Sequence, residues 1–212
     1  MGIISGVGDT GAVQRAVRPA TTADREVILD VAEAAFVTEP AFHHFFGDDY
    51  SRYARLFLAY LLDLRMDSGL VWVEQVDGRV VAASLWNPPG GVQEQEEDEA
   101  RWRSTAAQFP PEAVARLESY DARVHQHEPT TPHYYLGVIA SHPEARGNGH
   151  GGAVLRPGLE AADVEGLPVF LETGTEGNLG FYARYGFAVT DEVELEDGTR
   201  IWCLTRPSSS LG

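Results

Sequence analysis

The stretch Tyr134-Tyr135-Leu136-Gly137-Val138-Ile139-Ala140-Ser141-His142-Pro143-Glu144-Ala145-Arg146-Gly147-Asn148-Gly149-His150-Gly151-Gly152 decides the fold. It reads as a strand over 133–141, a proline stop, and a glycine-rich turn opening a helix from about 149 to 164. Strand 168–172 follows and ends in Glu172; then come helix 177–185, Gly186 and Phe187. A strand feeding a glycine turn at a helix start is a physical device for holding phosphate. Bare N–H groups point outward there, and the helix dipole adds roughly half a positive charge.

Downstream, Phe187–Leu195 and Arg200–Thr205 read as a hairpin around Glu196-Asp197-Gly198-Thr199. Upstream, Leu70–Gln75 and Val80–Trp86 flank Asp77-Gly78, a strong hairpin signal between β-rich runs. Val17–Ala20 is a short strand, and Thr21 and Thr22 offer N-caps for a helix through Ala35 that Glu39-Pro40 ends. A second helix, about Ser51 to Met66, carries Ala54, Leu58, Leu61 and Leu62 at helical spacing, with Tyr53, Phe57 and Tyr60 beside that stripe. Those aromatics read as core packing, with the wall of an acceptor pocket as the alternative. Glu94–Glu99 opens a polar helix to about Gln108, and another runs from about Pro111 to His125. Antiparallel pairs at both ends, one strand-helix-strand crossover between them and helices on both faces make an α+β fold, a three-layer arrangement with a mixed, mostly antiparallel central sheet. Residues 15–206 are expected to form one domain, with 87–126 as a helical insertion and 1–14 and 207–212 as flexible tails.

Composition narrows the chemistry. Net charge is −16, which argues against nucleic acid, because phosphate backbones are bound by basic clusters. All sixteen basic residues are arginine, so neither a Walker-type lysine nor a Schiff base is available. No apolar run approaches the ~20 residues of a membrane helix, so no membrane partner is expected. The single cysteine, Cys203, excludes an internal disulfide, fits a cytoplasmic location and reads as a buried packing residue. His125, His127 and His133, or His43 and His44, lack strong metal-ligand spacing, so no metal is expected. His127 and His133 read as supports for the loop entering the strand, and His43 and His44 as possible liners of an acceptor pocket.

Gly147-x-Gly149-x-x-Gly152 formally satisfies the dinucleotide fingerprint, with Glu172 twenty residues on. A doubly wound sheet needs several further parallel strands, yet only sixty residues follow Gly152 and two of their strands form a hairpin. The interposed Ser141–Arg146, with Pro143, also separates the strand from the first glycine. Another reading fits more residues. Arg146-x-x-Gly149-x-Gly151 after Pro143 resembles the acetyl-CoA pyrophosphate loop of the GNAT superfamily of N-acetyltransferases, and Asn178-x-x-x-Tyr182-x-x-x-Gly186-Phe187 resembles the motif that follows it there. His127–Leu136, Phe170–Thr173, Thr199–Cys203 and Trp86 before its proline turn look like the branch containing puromycin N-acetyltransferases. Ser141 departs from the valine usual in that branch.

The resemblance implies a GNAT fold, acetyl-CoA as co-substrate, and transfer of an acetyl group to a primary amine of a small molecule, such as an aminonucleoside or another antibiotic-like acceptor. A homodimer is compatible with it. The backbone of Arg146, Gly147, Asn148, Gly149, His150, Gly151 and Gly152 would hold the diphosphate. The strand end Ile139, Ala140 and Ser141 would pair with pantetheine, an amide near Ile139 polarising the thioester carbonyl. Asn178 would hold pantetheine or the local turn, or serve as a plain helix N-cap. Tyr182 would protonate the departing thiolate; a phenol, with ordinary pKa about 10, is already in the acid form at pH 7. Glu172 is the candidate base, or else a structural carboxylate bonded to local amides; an α-amine needs no dedicated base. A protein or peptide acetyltransferase and a non-catalytic CoA-binding module remain as alternatives.

Overall fold

The computed structural model describes residues 13–66, 70–90 and 96–208. Most of both expected tails, and Glu94 at the start of the expected polar helix, lie outside the described residues. The chain runs β1 (Arg15–Pro19), α1 (Arg25–Phe36), α2 (Pro40–Phe46), α3 (Tyr50–Met66), β2 (Val71–Val76), β3 (Arg79–Asn87), α4 (Glu96–Ala106) and α5 (Pro111–His125). It continues with β4 (Tyr134–Ser141), α6 (His150–Glu165), β5 (Val169–Thr173), α7 (Leu179–Ala183), β6 (Ala188–Glu194) and β7 (Arg200–Arg206). Short 3-10 turns precede α1, α3 and α7.

Local chemistry accounts for the junctions. Before α1, the Asp24 carboxylate accepts the Thr21 N–H at 2.8 Å and both terminal nitrogens of Arg18 at 2.7 Å, and the Arg18 guanidinium holds it far below the usual carboxylate range. The β2–β3 turn places Asp77 at φ 49° and Gly78 at φ 80°, the doubly positive φ that a tight hairpin demands. One sequence expectation fails here. Pro40 does not merely end α1; it starts α2, because at the first helical position its missing N–H was without a helical acceptor anyway and its φ is already helical. That extra helix buries Phe42, Phe45 and Phe46.

The seven strands of the described residues form one sheet in the order β1-β2-β3-β4-β5-β7-β6. Every neighbouring pair is antiparallel except β4 and β5, which are parallel through the crossover helix α6. The mixed, mostly antiparallel sheet is as expected, and the core forms on both of its faces. Residues of α1, α2, α3 and α5 pack in one cluster, with Leu85, Val138 and Phe170. Leu155 and Leu159 of α6 and Tyr182 of α7 pack in the other, with Trp86, Leu136 and Leu171.

Strand β4 is irregular on both of its edges. It pairs with β5 only through Tyr134↔Val169 and Tyr135↔Phe170, so the two strands part after Tyr135. Against β3, Leu85 faces Val138 while Trp86 faces Leu136, which leaves Gly137 as the extra residue of a β-bulge. The Arg65 guanidinium fills the space over that glycine; an ideal Cβ there would lie 2.5 Å from Nη2.

Candidate active site

Where β4 and β5 part, a cavity of about 1560 Å3 opens. Residues 136–141 of β4 form one wall, with Arg146 and Gly151 towards the glycine turn and Glu172, Thr173, Asn178, Phe181 and Tyr182 beyond the end of β5. Past Tyr135, the β5-facing edge of β4 has no strand partner among the described residues, so a peptide-like chain could add there as a further strand.

The turn itself is built to present backbone. Gly147 and Gly149 sit at φ 83° and 81°, and nothing lies within 4 Å of where a Cβ would stand, so the space before the loop is open. Gly149 occupies the N-cap position of α6. Gly151 faces the Phe181 ring and Ser141, while Gly152 lies directly under the Tyr185 hydroxyl, a contact that leaves no room for a side chain. Ile139, Ala140, Ser141, Arg146 and Gly151 line the cavity. Gly147 and Asn148 stay exposed at its rim, and His150 and Gly152 are buried beneath it.

The loop is anchored from a distance that sequence reading did not cover. The His150 imidazole turns inward and meets the buried Glu74 carboxylate at 2.8 Å, so only its backbone is left for a ligand. Arg15 reaches the same carboxylate at 2.7 Å and donates to the Asn148 carbonyl at 3.1 Å. Glu74 was the one available signal: a lone acid in the otherwise apolar run Val71-Trp72-Val73. At the cavity mouth Arg146 donates to the Ala35 carbonyl, at the end of α1, at 3.1 Å.

Tyr182 is buried in contact with Phe181 and Phe187, with ring centroids at 5.1 and 5.8 Å. Burial, reinforced by the Glu39 and Glu172 carboxylates, pushes its phenol above the ordinary 10, so it stays protonated at neutral pH. Glu172 is not bonded to local amides. Its Oε1 accepts from the Tyr135 hydroxyl at 2.7 Å and the Tyr120 hydroxyl at 3.3 Å, and its Oε2 is buried without a hydrogen-bond partner among the described residues. Burial raises this carboxyl to about 7, against the opposing pull of the two tyrosine hydroxyls. A carboxylate so placed is matched to moving a proton near neutral pH.

Asn178 stands at the N-cap position of α7 but does not cap with its side chain; its amide donates to Thr173 Oγ1 at 3.3 Å. Glu39, read from sequence only as a helix end, lines the cavity and ties α2 to the end of β5, accepting from Gly174 N at 2.9 Å and Thr175 Oγ1 at 2.8 Å. Of the second-helix aromatics, Phe57 and Tyr60 line the cavity, whereas Tyr53 is core. The histidine pair does not line it: His44 is buried against Asp197 at 2.9 Å, and His43 bonds the Val37 carbonyl at 2.7 Å. His133 and His127 do brace the segment before β4, against Thr131 O at 2.9 Å and Asp191 at 3.2 Å. No metal-binding group of His, Cys, Asp and Glu occurs among the described residues, and none of their helices is long and apolar enough to cross a membrane. Cys203 is buried and its thiol is pushed up to about 12, a packing residue.

Residues 93–190 match the family model described as the acetyltransferase (GNAT) domain. Among solved structures, the chain is similar to a Corynebacterium glutamicum protein described as histone acetyltransferase HPA2 and related acetyltransferase. That match has 25% identity and a TM-score of 0.67 and covers 92% of this chain and 97% of that one. It is also similar to the Drosophila melanogaster polyamine N-acetyltransferase (13% identity, TM-score 0.64, 92% and 100% covered) and to the mosquito arylalkylamine N-acetyltransferase like 5b (14%, 0.62, 92% and 100%). The fold is thus that of the GNAT acetyltransferases. The segment matched by the family model takes in α4, α5, the glycine turn and the cavity residues Glu172 and Tyr182.

Proposed function

We propose that this protein is an acetyl-CoA-dependent N-acetyltransferase acting on a small primary amine. The observation that carries the reading is the edge of β4 beyond Tyr135, without a strand partner among the described residues, which leads through the short 3-10 turn Pro143–Ala145 to the left-handed glycines Gly147 and Gly149 beside a cavity lined by Glu172 and Tyr182. A cofactor that is peptide-like at one end and a diphosphate at the other fits those two features in that order. Acetyl-CoA would bring the activated thioester carbonyl. Ile139, Ala140 and Ser141 would hold the pantetheine arm, and the backbone of residues 146–152, with the Arg146 guanidinium, the diphosphate. Asn178 would steady the turn beside the arm.

Two proton movements fall to the chain. The ammonium of the incoming amine passes its proton to Glu172 Oε2, leaving a nitrogen lone pair free to attack. Tyr182 gives its hydroxyl proton to the sulfur as the thiol departs, and the proton that the nitrogen sheds once the C–N bond has formed restores the phenol, directly or through water. Among the described residues, seven carboxyl groups, Glu39, Asp98, Glu99, Glu118, Asp121, Glu128 and Glu172, line the cavity against two arginines, Arg65 and Arg146, and two histidines, His125 and His133, which favours a cationic acceptor. An aminonucleoside, as in the branch its motifs resemble, is one acceptor of suitable size. A peptide acceptor has support in the description of the Corynebacterium relative. The test is a thiol-release screen with acetyl-CoA across aminonucleosides, aminoglycosides, arylalkylamines, polyamines and peptides, beside calorimetric titration with acetyl-CoA alone. Micromolar binding with release on small amines supports the reading; no binding and no turnover overturn it.

A further inference from the structure

The carboxylate of Glu172 is held by parts of the chain far apart in sequence. Tyr135, on the last paired position of β4, donates to Oε1 at 2.7 Å. Tyr120, on α5, donates to the same oxygen at 3.3 Å. Both hydroxyls are spent on one oxygen, and the other, Oε2, is buried and has no hydrogen-bond partner among the described residues. The Tyr135 ring is fixed in turn, stacked on Phe170 with centroids 6.0 Å apart and covered by the Arg65 guanidinium 6.0 Å from its centroid. Tyr120 is fixed by an edge-on contact with Phe45 at 4.9 Å. A carboxylate in water offers two equivalent oxygens and rotates freely. This one has Oε1 fixed by two donors and Oε2 left as the oxygen still able to take a proton.

Resting on Glu172 as the base, we propose that Tyr135 and Tyr120 form a two-phenol clamp that positions Glu172, occupying Oε1 and leaving Oε2 to take the acceptor amine's proton, directly or through water, and thereby making α5, in the segment between the two hairpins, part of the proton-transfer machinery. The two tyrosines are positioning residues; neither need touch the substrate. Both donate to the ionised form, so the clamp also keeps the carboxyl from rising further under burial. The other groups facing it are Arg65 from α3, Glu128 from the segment before β4, Cys203 across the β5–β7 pair and Tyr182 from α7, with Glu39 beyond. Arg65 supports the ionised carboxylate and Glu128 opposes it.

The clamp makes a directional forecast that a packing role does not. Tyr135→Phe and Tyr120→Phe keep each ring and remove one hydroxyl donor, so the titration midpoint of Glu172 rises. The rise is about one pH unit for the 2.7 Å partner and less for the 3.3 Å one. The direct readout is the 13C carboxyl shift of Glu172 in glutamate-labelled protein without substrate, assigned by its loss in Glu172→Gln. The kinetic readout is the acid limb of kcat/KM for one acceptor, which should move the same way. If both single variants and the double variant fold, by circular dichroism, and titrate as wild type does, the clamp is wrong. A rise in midpoint without any shift of the acid limb also overturns it. If Glu172→Gln retains full turnover, the assignment of Glu172 as base fails as well, and acetyl-CoA binding by that variant tells whether the cofactor half of the reading survives.

Discussion

Replacing Glu172 by Gln should make the protein more stable at alkaline pH while removing the base. The carboxyl titrates near 7 when folded against an ordinary value of 4.5. Between these values the folded state binds a proton that the unfolded chain has already lost, so stability falls as pH rises through that window. A tenfold difference in proton affinity between the two states is worth about 1.4 kcal/mol, so wild type loses about 2–3 kcal/mol between pH 5 and pH 8 through this group alone. Glutamine has nothing to titrate. Its carbonyl can still accept from Tyr135 and Tyr120, and its amide takes the place of an oxygen that has no partner either. A constant offset between the two proteins cancels when their difference is compared at the two pH values. For a chain of this length, 2–3 kcal/mol corresponds to about 4–12 °C in Tm. The assay is a pair of thermal melts at pH 5 and pH 8 for each protein, checked by urea midpoints. Glu172→Gln should gain on wild type by that margin on moving to pH 8. A gap that stays constant within about 1 °C, or that narrows, refutes the burial of a titrating carboxylate at this position.

Tyr182→Phe keeps the ring in its contacts with Phe181 and Phe187 and deletes only the hydroxyl. It should lower kcat about 10²–10⁴-fold with acetyl-CoA affinity and Tm near wild type; turnover within about threefold would remove Tyr182 as the acid. Gly158→Ala would drive a methyl group into the fully buried Trp86 indole and should cost about 1–3 kcal/mol despite alanine's better helix propensity. Gly180→Ala, with nothing within 4 Å, should instead be neutral or stabilise by up to about 1 kcal/mol, and equal shifts in urea midpoint for the two would contradict the packing of α6 on β3. Arg146→Ala should weaken acetyl-CoA binding about tenfold by calorimetry, with a smaller loss in high salt, where the guanidinium's attraction for the diphosphate is already screened.

Most of the fold was legible because its signals are local. Asp77-Gly78 and Asp197-Gly198 mark hairpins by the φ values they permit, and the helices on either side of Phe109-Pro110 show in composition and spacing. The α2 helix was missed because Pro40 is a helix stop in one context and a preferred first residue in another, and only the aromatic run after it separates the two. In the cavity, the glycines, Asn178, Glu172 and Tyr182 could be picked out, since each lies close in sequence to the turn or strand it serves. Their partners could not. Arg15 reaches Asn148 across 133 positions, and Glu39 reaches Gly174 across 135. Such pairings are set by sheet order, and no periodicity within a segment encodes them. The same holds for Tyr120 and Tyr135, which reach Glu172 across 52 and 37 positions.

Gly137 is where fold and chemistry meet. Before it, Tyr134 and Leu136 point into the cluster beneath α6; after it, Val138 and Ala140 point into the cluster beneath α1 and α3. Strand side chains alternate with period two, so these residues would share one face in an unbroken strand, and only an extra residue between them can reverse the sense. That reversal puts Tyr135 on the Glu172 side before the bulge and hands the core on that side to Val138 after it. The extra residue has to be glycine, because the Arg65 guanidinium that covers Tyr135 lies where a side chain would go. One missing Cβ therefore sets the strand's register and seats the cation that steadies the clamp. It also lies just beyond the last pair joining β4 to β5, where the cavity opens. A strand repaired to regular alternation would fill both core faces wrongly and close the site at once.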